Sequence, residues 1–149
     1  MIEETLVMLK PDCLERNLES ECLDRLQSIG DIILKRRMIA SANKIMAHYE
    51  ENLKDKPDNI KYRVLNYFVN KEVVIILIRG ENIIKNTRKL IGTSDPAKSP
   101  SGTIRGDFGI DSYEDADRID RSCYNIIHAS DSIDSYLREK EIWLGENNK

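Results

Sequence analysis

The longest unbroken apolar run in the chain is "VVIILI", residues 73–78. A run of that length suits a buried strand, and it falls far short of the roughly 20 apolar residues that cross a bilayer as a helix. We read it as the central strand, closed by Arg79-Gly80, and place the other elements around it. "TLVMLK", residues 5–10, is a second short apolar run stopped by Pro11, hence a strand that ends in a loop. Leu14, Leu18, Leu23, Leu26 and Ile29 recur at helical spacing before Gly30, and "DIILKRRMIA", residues 31–40, returns to a strand pattern. A helical stretch starts at Asn43, runs through Ile45 and Tyr49, and is broken over residues 54–59 by a segment containing Pro57. Residues 60–69 and 82–91 read as helices, the latter ended by Gly92. A long loop is expected over 93–124, then a short strand carrying His128, then a terminal helix around 132–140.

With the paired short helices set aside, the order is strand–helix–strand twice over. This is the order of an α+β, ferredoxin-like βαββαβ sandwich, an antiparallel sheet with helices on one face. The chain of 149 residues is the size of one domain, and no composition shift or repeat divides residues 1–149. A net charge of −3 argues against nucleic acid as the primary partner. Cys13, Cys22 and Cys123 are odd in number and form no C-x-x-C pair. They suggest neither a disulfide framework nor a zinc site, and the expected compartment is the reducing cytoplasm. The start "MIEETLVMLKPD" has neither the basic segment nor the apolar run of a signal peptide, and no membrane partner is expected.

Four places look like chemistry. Lys10-Pro11-Asp12 stands at a strand end, where a lysine can reach a phosphate as a mobile charge or simply lie on the surface beside a turn proline. "GTSDPAKSPSGTIRGDFG", residues 92–109, concentrates Gly, Ser, Thr and Pro around Arg105. Such a loop suits an anion, with Arg88 as a second guanidinium able to grip phosphate oxygens in pairs. A plain surface loop with solvated arginines reads equally well, and neither common phosphate-loop signature is present. His128 in "NIIHASDS" is one of two histidines, either a satisfied core histidine or a nucleophile. A nucleophilic histidine needs an acceptor on its other ring nitrogen, and Glu139 in "LREKEI" can provide one if it is not part of a solvated helix face. His48 in "AHYEEN" lacks such company and reads as structural.

Taken in order, "TLVMLKPD", "MAHYEENLKDKP", "TRKLIGTSDP", "SGTIRGDFG" and "NIIHASDS" resemble the nucleoside diphosphate kinase family, from about residue 4 to residue 144. The resemblance implies a ping-pong phosphotransferase that moves the γ-phosphate of ATP or another nucleoside triphosphate onto a histidine and then onto a nucleoside diphosphate. It implies that His128 is the nucleophile through Nδ1, that Lys10 reaches the transferring group, and that the Tyr49 hydroxyl supports both. Arg88 and Arg105 match the phosphate-gripping arginines, Ser94 stands where the family usually has threonine, and Asn125 matches the contact to the sugar hydroxyl. Ser130 and Glu139 match the residues that support the histidine. The resemblance also implies Mg2+ held by the nucleotide phosphates with no direct protein ligand, and a homo-oligomer, hexamer or tetramer. An idle regulatory relative is disfavoured by the intact residue set, and a phosphate relay to other proteins would use the same set.

Two departures from the family pattern bear on the site. Asp58 follows Pro57 where the family has a phenylalanine on which the base stacks, and Tyr62 is the expected substitute. The stretch between "RGDFG" and "YNIIH" is longer than in compact relatives and acidic. We expect residues 111–124 to be a surface excursion flanking the nucleotide entrance. Its carboxylates (Asp111, Glu114, Asp115, Asp117, Asp120) should face solvent or a neighbouring subunit.

Overall fold

The computed structural model describes residues 1–145. Of the domain expected over 1–149, the last four residues lie outside the described residues. Strands β1 (Ile2–Leu9), β2 (Asp31–Ile39), β3 (Glu72–Glu81) and β4 (Ile127–Ala129) make one antiparallel sheet in the order β2-β3-β1-β4. That is the ferredoxin-like arrangement, and the "VVIILI" run lies in β3 between β2 and β1, as expected of a central strand.

Alternation along β1 and β3 divides their side chains between two cores. Val7, Leu9, Val74, Ile76 and Ile78 meet helices α1 (Pro11–Glu15), α2 (Glu19–Gln27) and, after β3, α6 (Ile83–Ile91). Leu6, Met8, Val73, Ile75 and Leu77 meet α3 (Ala42–His48), α5 (Asp58–Phe68) and the terminal α9 (Ile133–Leu144), with the short α4 (Glu50–Leu53) between α3 and α5. The ferredoxin-like pair, α2 and α6, shares one face as expected, but the expectation of helices on one face alone is corrected. A strand with no polar alternation needs cover on both sides, and "VVIILI" has none.

Two further differences have local causes. The helix expected from Leu14 to Ile29 is two helices, because Asn17 adopts φ 57° and turns the chain between α1 and α2. The loop expected over 93–124 contains a 3₁₀ turn (Pro96–Lys98), α7 (Ile104–Phe108) and α8 (Tyr113–Arg118). Each is started by a side-chain cap: Asp95 accepts from Ala97 N, Thr103 from Gly106 N and Ser112 from Asp115 N. Among the described residues no helix is long and apolar enough to cross a membrane.

Candidate active site

The site forms where β1 ends. β4 pairs with β1 in the register Met8↔His128 and Leu9↔Ile127, which brings His128 beside the strand that delivers Lys10. The turn into β4 is tight. Ile127 N donates to Asn125 O at 2.8 Å around Ile126, whose φ is 74°. A β-branched residue in that region is strained, at a cost on the order of 1–3 kcal/mol, and survives only where its surroundings hold it. Here Ile126 N donates to Asp12 Oδ2 at 3.1 Å, and Ile126 O accepts from Lys10 N at 2.9 Å. Buried Asp12 also accepts the Tyr67 hydroxyl proton. Asp12 in the "KPD" stretch is thus the residue that shapes the histidine's approach, a role the sequence reading did not give it.

His128 is 21% exposed and, among the described residues, is held by one nitrogen only. Its Nε2 lies 2.7 Å from Glu139 Oε1, which also accepts from the Ser130 hydroxyl at 2.9 Å. A carboxylate oxygen that already takes a hydroxyl proton calls for the tautomer with hydrogen on Nε2, leaving the Nδ1 lone pair uncommitted. Burial and the positive charges of Lys10, Arg105 and Arg88 push the imidazole pKa down to about 3. At neutral pH His128 is therefore uncharged. Burial pushes the Glu139 carboxyl up, while the Ser130 hydroxyl helps keep it ionised.

His48, read from the sequence as structural and without company, lies beside the site. Its ring packs edge-on against that of His128, centroids 4.5 Å apart, and Trp143 Nε1 donates to its Nδ1 at 3.0 Å. That donation keeps the ring proton on Nε2, which has no hydrogen-bond partner among the described residues. His48, His128 and Glu139 offer ligand atoms within 4.8 Å of one another. The set suits magnesium poorly, because magnesium takes oxygen ligands and His48 Nε2 carries a proton. No sequence signal links residues 48, 128 and 143. Only the packing of α3 and α9 on one sheet face does so.

The cations are prearranged. Lys10 is buried and its Nζ donates to Asn125 Oδ1 at 2.6 Å; burial and the neighbouring Arg105 charge lower its pKa to about 8. Asn125 Nδ2 in turn donates to Ser94 O at 2.9 Å, so Ser94 enters through its carbonyl while its side chain is exposed. Arg105 spends its guanidinium on backbone: Nε on Asn125 O, Nη1 on Gly92 O and Thr93 O, Nη2 on Ile127 O. It ties the 92–93 turn to β4 and supplies charge more than a free fork; burial lowers its pKa to about 10, still charged at neutral pH. Arg88 Nη1 donates to Ala129 O at 3.1 Å from α6. Tyr49 lies between two cavities and lines both. One, about 410 Å³, contains His128, Arg88 and Glu139; the other, about 450 Å³, opens from Lys10 and Asn125 towards α5 and α8. Every residue expected at the site except the Ser94 side chain meets at these cavities or directly behind them.

At the far end of the larger cavity the expectations fare differently. Tyr62 is 63% exposed and does not line the cavity, whereas Ile60 and Val64 of the same helix do. Helix α5 starts at Asp58, two residues earlier than expected, and presents Ile60 and Val64 to the cavity while Tyr62 faces outward. The acidic segment does flank the opening, through Tyr113, Ala116 and Asp117. Its carboxylates are mostly exposed, but Asp111 is buried: it binds Arg121 and accepts from Tyr124 N at 2.8 Å.

An uncharged histidine fixed at Nε2, with a buried lysine and two arginines beside it on a ferredoxin-like sheet, is the equipment of a phosphoryl-transfer enzyme. The comparisons narrow the class. The family model for nucleoside diphosphate kinase matches residues 3–149, and the chain belongs to that family. It is similar to the nucleoside diphosphate kinase of Methanocaldococcus jannaschii, 34% identical over 147 residues that cover 99% of this chain and 96% of the relative. That of Pyrococcus furiosus is 36% identical over 144 residues, 96% of this chain and 83% of the relative. Among solved structures, a transition-state mimic of the Borrelia burgdorferi enzyme with bound vanadate and ADP superposes with a TM-score of 0.90 at 27% identity. The match covers 99% of this chain and 89% of that one. An NDP kinase from Pyrobaculum aerophilum gives 0.86 at 28% identity, over 99% and 98%.

Proposed function

We propose that His128 is the residue through which this chain carries out the family's reaction, transfer of the γ-phosphate of a nucleoside triphosphate to a nucleoside diphosphate by way of a phosphohistidine. The observation that carries the assignment is the imidazole held at Nε2 by Glu139, with Nδ1 left free. The Nδ1 lone pair attacks the γ-phosphorus, the bond to the bridging oxygen breaks, and the diphosphate leaves with that oxygen. In the return step a terminal oxygen of a second diphosphate attacks phosphorus, the P–N bond breaks, and Nδ1 regains its lone pair. The Nε2 proton stays towards Glu139 throughout, stabilising the positive charge that develops on the ring.

Phosphoryl transfer asks the protein chiefly for position and for positive charge around the equatorial oxygens. Lys10, Arg88 and Arg105 supply that charge, with Tyr49 at the junction of the two cavities and Ser94 at the loop edge. Asn125 takes the sugar hydroxyl by giving up part of its present hold on Lys10 and the 94 carbonyl. Magnesium enters on the nucleotide phosphates as part of the substrate. The buried carboxylates Asp12 and Glu139 are spent on Ile126, Tyr67, His128 and Ser130, which supports a metal held by phosphate rather than by the chain. We further place residues 1–149 in one such domain, in a reducing cytoplasm suited to three free cysteines. A homo-oligomer, hexamer or tetramer, is supported by Ile33 and Ile39, exposed on the edge strand β2. Incubation with γ-labelled ATP should label the protein, and GDP should then discharge the label as GTP. Label that never forms, or that GDP does not remove, would contradict the proposal.

A further inference from the structure

The larger cavity has a phosphate end, at Lys10 and Asn125, and a second end between α5 and α8 that the residues assigned so far leave without a role. α5 brings the aliphatic side chains of Ile60 and Val64 to one side of it, and α8 brings Tyr113 and Ala116 to the other. Four aromatic rings line this cavity. Phe68 is 2% exposed and Tyr67 7%, with its hydroxyl committed to Asp12, so neither offers a face to a ligand. Tyr49 belongs to the phosphate end, since it also lines the His128 cavity. Tyr113 alone of the four is open, 44% exposed, and sits on the segment that joins the phosphate loop to the histidine strand.

The two sides are tied together. Arg63 of α5, its side chain 14% exposed, donates from Nη1 to Asp117 Oδ1 at 2.8 Å and from Nε to Asp120 Oδ1 at 2.6 Å. Asn59 Nδ2 reaches the same Asp120 oxygen at 3.5 Å. These carboxylates are 69% and 64% exposed, so the pairs lie on the rim in water, where such links are weak and screened by salt.

We infer that Tyr113 supplies the aromatic wall for the nucleobase, opposite Ile60 and Val64, and that Arg63 latches this wall through Asp117 and Asp120. The inference rests on the transfer proposed above. It explains how a chain with Asp58 in the first turn of α5 binds a base without a ring there. Stacking on one tyrosine face also tolerates every base, since each has a π-face. Tyr113 and Arg63 are positioning residues for the diphosphate acceptor and touch no reacting atom.

The test uses the phosphoenzyme made with γ-labelled ATP, discharged by GDP, by CDP and by ribose 5-diphosphate, which has no base. Tyr113→Ala and Tyr113→Leu should raise the half-saturating concentration of both nucleotides about tenfold, in the range expected for a lost base–aromatic stack. Both variants should keep the maximal discharge rate and leave ribose 5-diphosphate within about twofold, and Tyr113→Phe should behave as the parent chain. Removing the latch with Asp117→Asn and Asp120→Asn together should give a smaller rise, about threefold, and flatten the dependence of half-saturation on salt. Wild-type half-saturation in either Tyr113→Ala or Tyr113→Leu, or an equal loss with and without the base, would overturn the inference. Absence of label in the parent chain is a separate result that contradicts the transfer itself.

Discussion

The phosphate side of the proposed nucleotide site and the end between α5 and α8 are built on different principles. At the phosphate end Lys10, Arg105, Asn125 and Glu139 are all buried, and their polar atoms are committed before any ligand arrives. At the proposed base end the lining is aliphatic side chains, one half-open tyrosine and ion pairs on an exposed rim. The difference follows from what each end must do. A transferring phosphoryl group rewards charge fixed in advance, whereas a base that varies between substrates rewards a surface that fits all of them loosely. Changes at the first end should therefore cost turnover, and changes at the second should cost affinity.

The largest effect expected from this contrast is at Glu139. Glu139→Gln keeps the shape but weakens the hold on His128 Nε2, and turnover should fall roughly 10–100-fold while labelled phosphoenzyme still accumulates. Rapid-mixing measurement of phosphoenzyme formation checks it; an unchanged rate would mean that the contact is only structural and would blur the contrast.

The pH profile sharpens the contrast next. Lys10, lowered to about 8 by burial and Arg105, carries its charge below that pH and loses it above. kcat/KM, which reports the free enzyme, should fall by about tenfold per unit as pH rises past 8. His128, lowered to about 3, should add no acid limb near 6.5, where an exposed histidine would. An acid limb at 6.5 that is removed with His128 would show the site to be less buried than described. The same depression affects stability. Between its ordinary pKa and about 3, the unfolded chain binds a proton at His128 that the folded chain does not, so stability should decline as pH falls below 6.5. Thermal melts at a series of pH values measure this.

The smallest expected effect lies at the base end. Tyr62→Ala and Asp58→Ala should leave the KM values for purine and pyrimidine diphosphates within about twofold, because Tyr62 faces water outside the cavity and Asp58 does not line it. A marked rise for Tyr62→Ala would return the base to the helix α5 surface and break the distinction drawn here.

How much of this was legible beforehand also divides between the two ends. The strands were, because apolar runs such as "TLVMLK" and "VVIILI" report burial directly. Lys10, Arg88, Arg105, Asn125, His128 and Glu139 stood out through motif and resemblance, and the fold brings them to one place. The contacts that tune them were hidden, since Asp12 to Ile126, Trp143 to His48 and Arg63 to Asp117 each span more than 50 positions. The helices within 93–124 were hidden for a different reason. Its Gly, Ser, Thr and Pro favour a loop, and Thr103 and Ser112, which cap α7 and α8, lack the Glu or Gln three residues on that marks a helix start in sequence. Only the fold of α8 brings Tyr113 to the cavity opposite α5.

The central claim is that His128 accepts phosphate on Nδ1 because Nε2 is held by Glu139. NMR of phosphoenzyme carrying 15N-labelled histidine tests it most directly, since phosphorus couples to the nitrogen that bears it. The account predicts one coupled signal, from His128 Nδ1, absent in His128→Ala. Coupling to Nε2, phosphate on His48, or a phosphoenzyme that persists in His128→Ala would contradict it.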